Sequence, residues 1–519
     1  MVMDPRLTSE LTSELRDIVQ EIEGHARNLG LDFFPTIFEM VNYQQMSEIA
    51  SYGGFPTRYP HWRFGMEYEH LSKSYEYGLS LIYEMVINND PCYAYLLKSN
   101  SLVDQKTVIA HVYGHCDFFK NNYCFSHTNR KMLDEMANHG SRIRRYIEEV
   151  GHDEVENFID VCLSLENLID QHAPHIRREP KKVHTSSVGG YDEQLISADR
   201  RPVPKLPSHR GYMESYINPE EYLKEQQRRM VTEAEREKRF PENPRRDILK
   251  FLLDHAPLSA WQRDVLSIVR EEAYYFAPQG QTKIMNEGWA VYWHSKIMTQ
   301  YMLTDSECID YCDHYAGVTA TNGMRLNPYK LGVELVRHVE RRWDRGQFGL
   351  DYILEDDPAV RKAWNKEAGQ GRKKLFEVRK FHNDITFIDE FLDEDFCEEA
   401  KLFTWATDRR TGQRIISDRG FESIKSELLD ALTNFGQPLI DVVDGNFRNR
   451  GELLLMHQHQ GKDLKMDWAV ETLQNLHKVW NRPVNLSTML EGEERILSFD
   501  GLEPRVEKGA GVAQVGPTK

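Results

Sequence analysis

The sequence predicts a mainly α N-terminal domain with a smaller α+β C-terminal domain. Three observations carry this expectation. A chain of 519 residues is too long for a single core. Apolar residues recur at three- and four-residue intervals through residues 1–375, the pattern of helices that bury one face. From residue 376 the texture changes to short β-branched and aromatic runs separated by Gly, Asn and Asp turns, which marks a second domain over 376–505 and a frayed tail over 506–519.

Leu11, Leu15, Ile18, Ile22 and His25 fall on one stripe, so 8–29 reads as a helix with Thr8 or Ser9 as its cap. A second helix is expected over 34–49, followed by a loop from Tyr52 to Arg63. A long tyrosine-rich helix is expected over 66–87, ended by the turn Asn88-Asn89-Asp90-Pro91. Its Tyr68, Tyr75, Tyr77 and Tyr83 read as core and groove lining. Further helices are expected over 104–120, 128–150 and 152–172. Pro174, Pro180, Pro202, Pro204 and Pro207 then alternate with basic residues, which predicts a long loop over 173–212. The charged stretch 219–239 reads as a solvent-facing helix. Helices are expected again over 245–254, 258–276, 282–303, 305–316 and 328–345. In the C-terminal part, Ile385-Thr386-Phe387, Phe403–Ala406 and Arg414–Ser417 read as strands and 419–433 as a helix. A hairpin is expected from 439–446 and 452–458, then a helix over 467–480 with Ala469, Leu473, Leu476 and Val479 inward. A last hairpin turns at Glu491-Gly492.

The formal net charge of −17 opposes nucleic acid and anionic membranes as main partners, because nothing offsets phosphate repulsion. The basic runs Arg142–Arg145 and Arg177–Lys182 read as solvated faces. No run approaches the roughly 20 apolar residues of a membrane span, and the N-terminus lacks an apolar signal core. Seven scattered cysteines, an odd number, fit a reducing compartment, so cytoplasm is the expected location.

Two distant segments carry the chemistry. His111 and His115 are four apart on a predicted helix, so both rings project from one face, a spacing that can bind zinc. Zinc needs a third protein ligand, and Glu287 in Asn286-Glu287-Gly288-Trp289-Ala290 is the candidate. Gly288 and Ala290 would let another helix approach beside the carboxylate. His294, two turns on, could ligate or supply an outer hydrogen bond. The competing reading is a core histidine pair packed beneath Trp289 and Trp293.

These segments, with others, resemble the stage V sporulation protein R (SpoVR) family. The resemblance is carried by Phe64-Gly65, Val86-Ile87-Asn88 ahead of Pro91-Cys92, Gly114-His115-Cys116-Asp117-Phe118-Phe119, Tyr275-Phe276-Ala277-Pro278-Gln279, Met285–Ala290 with His294, Asn327–Gly332, Arg341-Arg342-Trp343 and Phe387–Leu392. It covers about residues 15–500. It implies a bacterial or archaeal cytoplasmic protein which, in spore formers, takes part in building the peptidoglycan cortex of the spore. It also implies a setting beside a serine protein kinase and a von Willebrand-type companion protein. The family name records a phenotype, so the resemblance implies no particular reaction.

A zinc hydrolase needs a base for the attacking water, and in His-Glu-x-x-His enzymes a glutamate follows the first ligand. Val112 occupies that place here, which makes the site a gluzincin-like constellation split between two segments. Glu271, Glu272, Glu67, Glu69 and Asp117 are the candidate replacement bases. Glu67 with His70 is also one Glu-x-x-His step of a di-iron site, but no second step accompanies it. The sequence therefore points to a zinc-dependent hydrolase of an amide or peptide bond, with a peptide or cell-wall precursor as substrate. The rival reading is a non-catalytic scaffold acting with the kinase.

Overall fold

The structure is a computed structural model that describes residues 11–76, 84–176, 218–228, 240–320, 326–407 and 414–509. Tyr77, Tyr83, Thr8, Ser9, the run Arg177–Lys182 and most of the 173–212 loop lie outside the described residues, as does the predicted helix 219–239 beyond residue 228.

The chain divides into two compact units. One comprises Met1–Glu156 and Glu271–Gln437, the other Asn157–Arg270 and Pro438–Lys519. The elements run α1 (Ser13–Asn28), β1 (Thr36–Val41), α2 (Tyr43–Ser51), α3 (Trp62–Glu76), β2 (Glu84–Ile87), β3 (Cys92–Leu97), α4 (Leu102–Asn121), α5 (Met132–Val150), α6 (His152–Ser164), α7 (Ile248–His255), α8 (Ala260–Gln281), α9 (Lys283–Ile297), α10 (Cys308–Val318), α11 (Pro328–Arg345), α12 (Gly371–Phe381), α13 (Asp384–Phe391), β4 (Thr404–Thr407), β5 (Arg414–Asp418), α14 (Phe421–Leu432), β6 (Ile440–Phe447), β7 (Glu452–His457), α15 (Met466–Trp480), β8 (Val484–Leu490), β9 (Glu493–Phe499) and β10 (Pro504–Lys508). Short helical turns fall between some of these. The mainly α N-terminal part and the α+β C-terminal part are as expected. Among the described residues, no helix is long and apolar enough to cross a membrane.

Three local expectations are corrected. The helix expected over 34–49 is strand β1 followed by helix α2. The β-branched and aromatic run Thr36-Ile37-Phe38 pairs in parallel with β3. A capping box then starts α2: the Asn42 side chain accepts from Gln45 N at 2.9 Å and the Gln45 side chain accepts from Asn42 N at 2.9 Å. The helix expected over 66–87 is described as helix up to Glu76, residues 77–83 lie outside the described residues, and Glu84–Ile87 is not helix but β2, antiparallel to β3. Finally, Ile385–Phe387 is the first turn of α13, because Asn383 and Thr386 form another capping box ahead of it. A good cap outweighs a three-residue β-like run.

The first unit is organised around α4, α9 and α11. Almost every residue of α4 from Val108 to Phe119 is buried, and α9 is buried nearly throughout, so both run through the interior and not along its edge. Small residues set the distances. A Cβ added at Gly114 would lie 2.7 Å from the Cα of Ala290, which brings α4 against α9. Added at Gly332, it would lie 2.2 Å from the carbonyl oxygen of Ile284 and 2.8 Å from the Cα of Gly288, which brings α11 against α9. Backbone cannot yield as a flexible side chain can. Alanine is the better helix former by about 1 kcal/mol, so propensity alone would make Gly332→Ala stabilising. The close approach reverses the sign: a loss of about 1–3 kcal/mol is expected in urea unfolding. A gain in stability would mean that the helices are not in contact there.

The second unit carries a five-stranded sheet in the order β10-β9-β8-β7-β6. β7 and β8 pair in parallel, and the other neighbours are antiparallel. A parallel pair needs a crossover, and α15 is the helix between these two strands. It buries Ala469, Leu473, Leu476 and Val479, the four expected positions. β10 continues the sheet to Lys508, into the start of the stretch expected to fray.

Candidate metal centre

Ser101 starts α4 with a capping box, and the helix then presents His111 and His115 one turn apart. Their rings are 4.5 Å apart between centroids. Facing them is Glu287 on α9. Thr282 does not cap that helix; its hydroxyl donates to the carbonyl of Pro278. The cap comes from a residue a hundred positions away: the Asp384 carboxylate, 1 % exposed, accepts from Ile284 N at 2.8 Å and Met285 N at 2.9 Å. This holds the first turn of α9, and with it the Glu287 backbone, against α13.

Glu287 Oε2 lies 3.6 Å from His111 Nε2 and 3.5 Å from His115 Nε2. One donor atom from each of the three residues falls within 4.8 Å of the others. Glu287 Oε2 is buried and, among the described residues, has no partner closer than the two imidazole Nε2 atoms. Burial raises the Glu287 carboxyl, but the His111 and His115 imidazoles outweigh it, and the group sits below the ordinary carboxylate range. Burial, reinforced by His111, brings His115 down to about 4, so its ring is neutral at pH 7. Asn286 Oδ1 accepts from His115 Nδ1 at 2.9 Å, which leaves the lone pair of that ring on Nε2, toward Glu287. His111 Nδ1 is 3.0 Å from His294 Nδ1. His294 is thus hydrogen-bonded behind His111 and is not one of the three converging donors, and burial holds its ring neutral. A negative oxygen and the Nε2 atoms of two rings held by outer hydrogen bonds, buried together, suit a divalent cation of the zinc kind.

The proposed bases lie elsewhere. Asp117 is fully buried and saturated. Its Oδ1 accepts from Asp32 N at 2.7 Å and from Arg379 Nη1 at 2.7 Å, and its Oδ2 accepts from Trp289 Nε1 at 2.8 Å. Glu67 is exposed on α3, and Glu69 is an exposed partner of Lys73 at 2.9 Å. Glu271 and Glu272 are with His139 of α5: His139 Nε2 is 3.5 Å from Glu271 Oε2, and Nδ1 is 3.1 Å from Glu272 Oε1. Val112, in the place of the usual glutamate, is wholly buried in the core. Cys116 is buried as well.

Sequence reasoning missed the roles of Asn286, Asp384, Arg379 and His139. For His139 the signal was present: Glu135 and His139 have the same four-residue spacing as His111 and His115.

A helical body with a histidine pair on one helix and a glutamate on another defines the class: a helical protein with a candidate metal centre split between two helices. The chain belongs to the SpoVR family. Residues 9–437 match the family described as SpoVR like protein, and residues 438–491 match the SpoVR-like C-terminal domain. It is 29% identical over 524 residues to the uncharacterized protein YcgB of Escherichia coli (strain K12), covering 95% of this chain and 94% of that one. No solved structure matches it.

Proposed function

We propose that His111, His115 and Glu287 hold one zinc ion and that the centre hydrolyses an amide or peptide bond, in a peptide or cell-wall precursor. The observation that carries this reading is the buried Glu287 Oε2 set between two imidazole Nε2 atoms, with no closer partner among the described residues. Three protein ligands are the number found in catalytic zinc sites, which leave one position for water or substrate. When bound there, zinc polarises a carbonyl and brings the pKa of water toward about 7. The chain's own part is to keep His115 neutral, to orient it through Asn286 and to orient His111 through His294.

One observation favours a second reading. None of the five carboxylates considered as bases is among the converging donors, and Val112 is core. A metal held without a base beside it would clasp α4 to α9 in a non-catalytic scaffold, one that acts with a serine protein kinase. Two measurements on the full chain separate these readings. With zinc loaded, a panel of peptides and cell-wall stem peptides is assayed for amide cleavage, and chelation is followed by thermal unfolding. Both readings expect chelation to lower Tm, with about 2.7 kcal/mol at stake when free metal is a hundredfold above Kd. The hydrolase also expects cleavage that disappears in Glu287→Gln. Zinc binding with no cleavage of any substrate leaves the scaffold.

A further inference from the structure

The Glu271–His139–Glu272 cluster repeats the construction of the first centre, and nothing in that centre uses it. Glu135 and His139 are one turn apart on α5, as His111 and His115 are on α4. Glu271 of α8 faces them, as Glu287 faces the first pair. In each case the residue adjacent in sequence to that glutamate, Asn286 or Glu272, is bonded to the Nδ1 of the histidine. We propose that Glu135, His139 and Glu271 form a second site, for a divalent transition cation that takes one imidazole nitrogen and two carboxylate oxygens.

The site is built from the inside outward. Glu272, 3 % exposed, is anchored by the Arg58 guanidinium and by the Tyr59 hydroxyl at 3.3 Å. Its other oxygen accepts from His139 Nδ1; burial lowers the ring, but Glu271 and Glu272 outweigh it and hold it up at about 9, so a cation that binds at Nε2 displaces the proton there. The His139 side chain is 0% exposed, and among the described residues its Nε2 has no partner closer than Glu271 Oε2, at 3.5 Å. One atom each from Glu135, His139 and Glu271 lies within 4.8 Å of the others. The Glu271 side chain is 45% exposed, which gives an ion a way in from solvent. Asn138 also reaches Glu135 Oε2, at 3.4 Å, and Arg142 lies near Glu271. A nitrogen with two carboxylates and no thiolate matches Mn2+ or Fe2+ better than a thiol-seeking ion.

The test uses Mn2+ as the probe and counts bound ion by EPR on metal-stripped full-length chain. In His115→Ala/Glu287→Ala, which removes the first centre, one Mn2+ should remain bound. Adding Glu271→Gln or Glu135→Gln should weaken that binding by at least about tenfold with the circular dichroism unchanged. Glu272→Gln, which touches no ion, should weaken it by about 10–100-fold. Should the double variant not fold, Glu271→Gln in the otherwise unchanged chain should lose one equivalent. No bound Mn2+ once the first centre is gone, or an unaltered count in Glu271→Gln and Glu135→Gln, would overturn the proposal and leave a structural ion network. The outcome is independent of whether the first centre binds zinc or hydrolyses anything.

Discussion

Glu287→Ala is expected to remove one equivalent of zinc from the purified chain, and His115→Ala to remove the same equivalent. The reason is geometric. Glu287 Oε2 is the point at which the Nε2 atoms of His111 and His115 both aim, at 3.6 and 3.5 Å. Loss of a ligand should weaken binding by more than about a hundredfold, whereas loss of an outer hydrogen bond costs about 10–100-fold. Asn286→Ala and His294→Ala should therefore fall between the wild type and Glu287→Ala. Isothermal titration with zinc reads this order directly. A core histidine pair that merely packs beneath Trp289 and Trp293 gives no such series, and equal zinc content across all four variants would establish that reading.

Asp117→Ala is expected to cost about 3–5 kcal/mol of stability, the penalty for removing one partner of a buried ion pair. Arg379, whose side chain is 10% exposed, would keep its charge with no carboxylate opposite. The Asp32 backbone N–H and the Trp289 indole would lose their acceptor at the same time. Pairing the change with Arg379→Met should recover part of the loss, and a double-mutant cycle measured by urea unfolding gives the coupling. The pair joins α4 to α12, and the Trp289 indole adds α9, so the same cycle tests whether Asp117 is a structural tie and not a base. A cost below about 1 kcal/mol would show that the carboxylate is not needed for packing.

The convergence of His111, His115 and Glu287 was more legible than the fold's details. The periods of His111/His115 and of Glu287/His294 are local, and helical spacing places such residues on one face whatever surrounds them. Gly288 and Ala290 also read correctly as points of close approach, because a missing or minimal side chain between bulky neighbours has few other uses. What the sequence did not disclose is long-range pairing. Thr36–Val41 became a strand because Cys92–Leu97 lies beside it, and no window around residue 40 contains that fact. Asp384 caps a helix that begins a hundred residues earlier in the chain. Asp117 looked like a free carboxylate beside His115, and only the folded chain brings Arg379 and Trp289 to it. Glu271 and Glu272 were weighed as replacement bases for the first centre, on a helix just before α9. They meet His139 instead, a residue whose spacing from Glu135 was readable but was not weighed.

X-ray absorption at the zinc edge of the purified full-length protein tests the central claim most directly. The account predicts a zinc ion with two imidazole nitrogens at about 2.0–2.1 Å and light oxygen donors completing the shell, a spectrum that loses its imidazole scattering in His111→Ala/His115→Ala. A protein that takes up no zinc, or zinc with sulfur at about 2.3 Å in its shell, would contradict it.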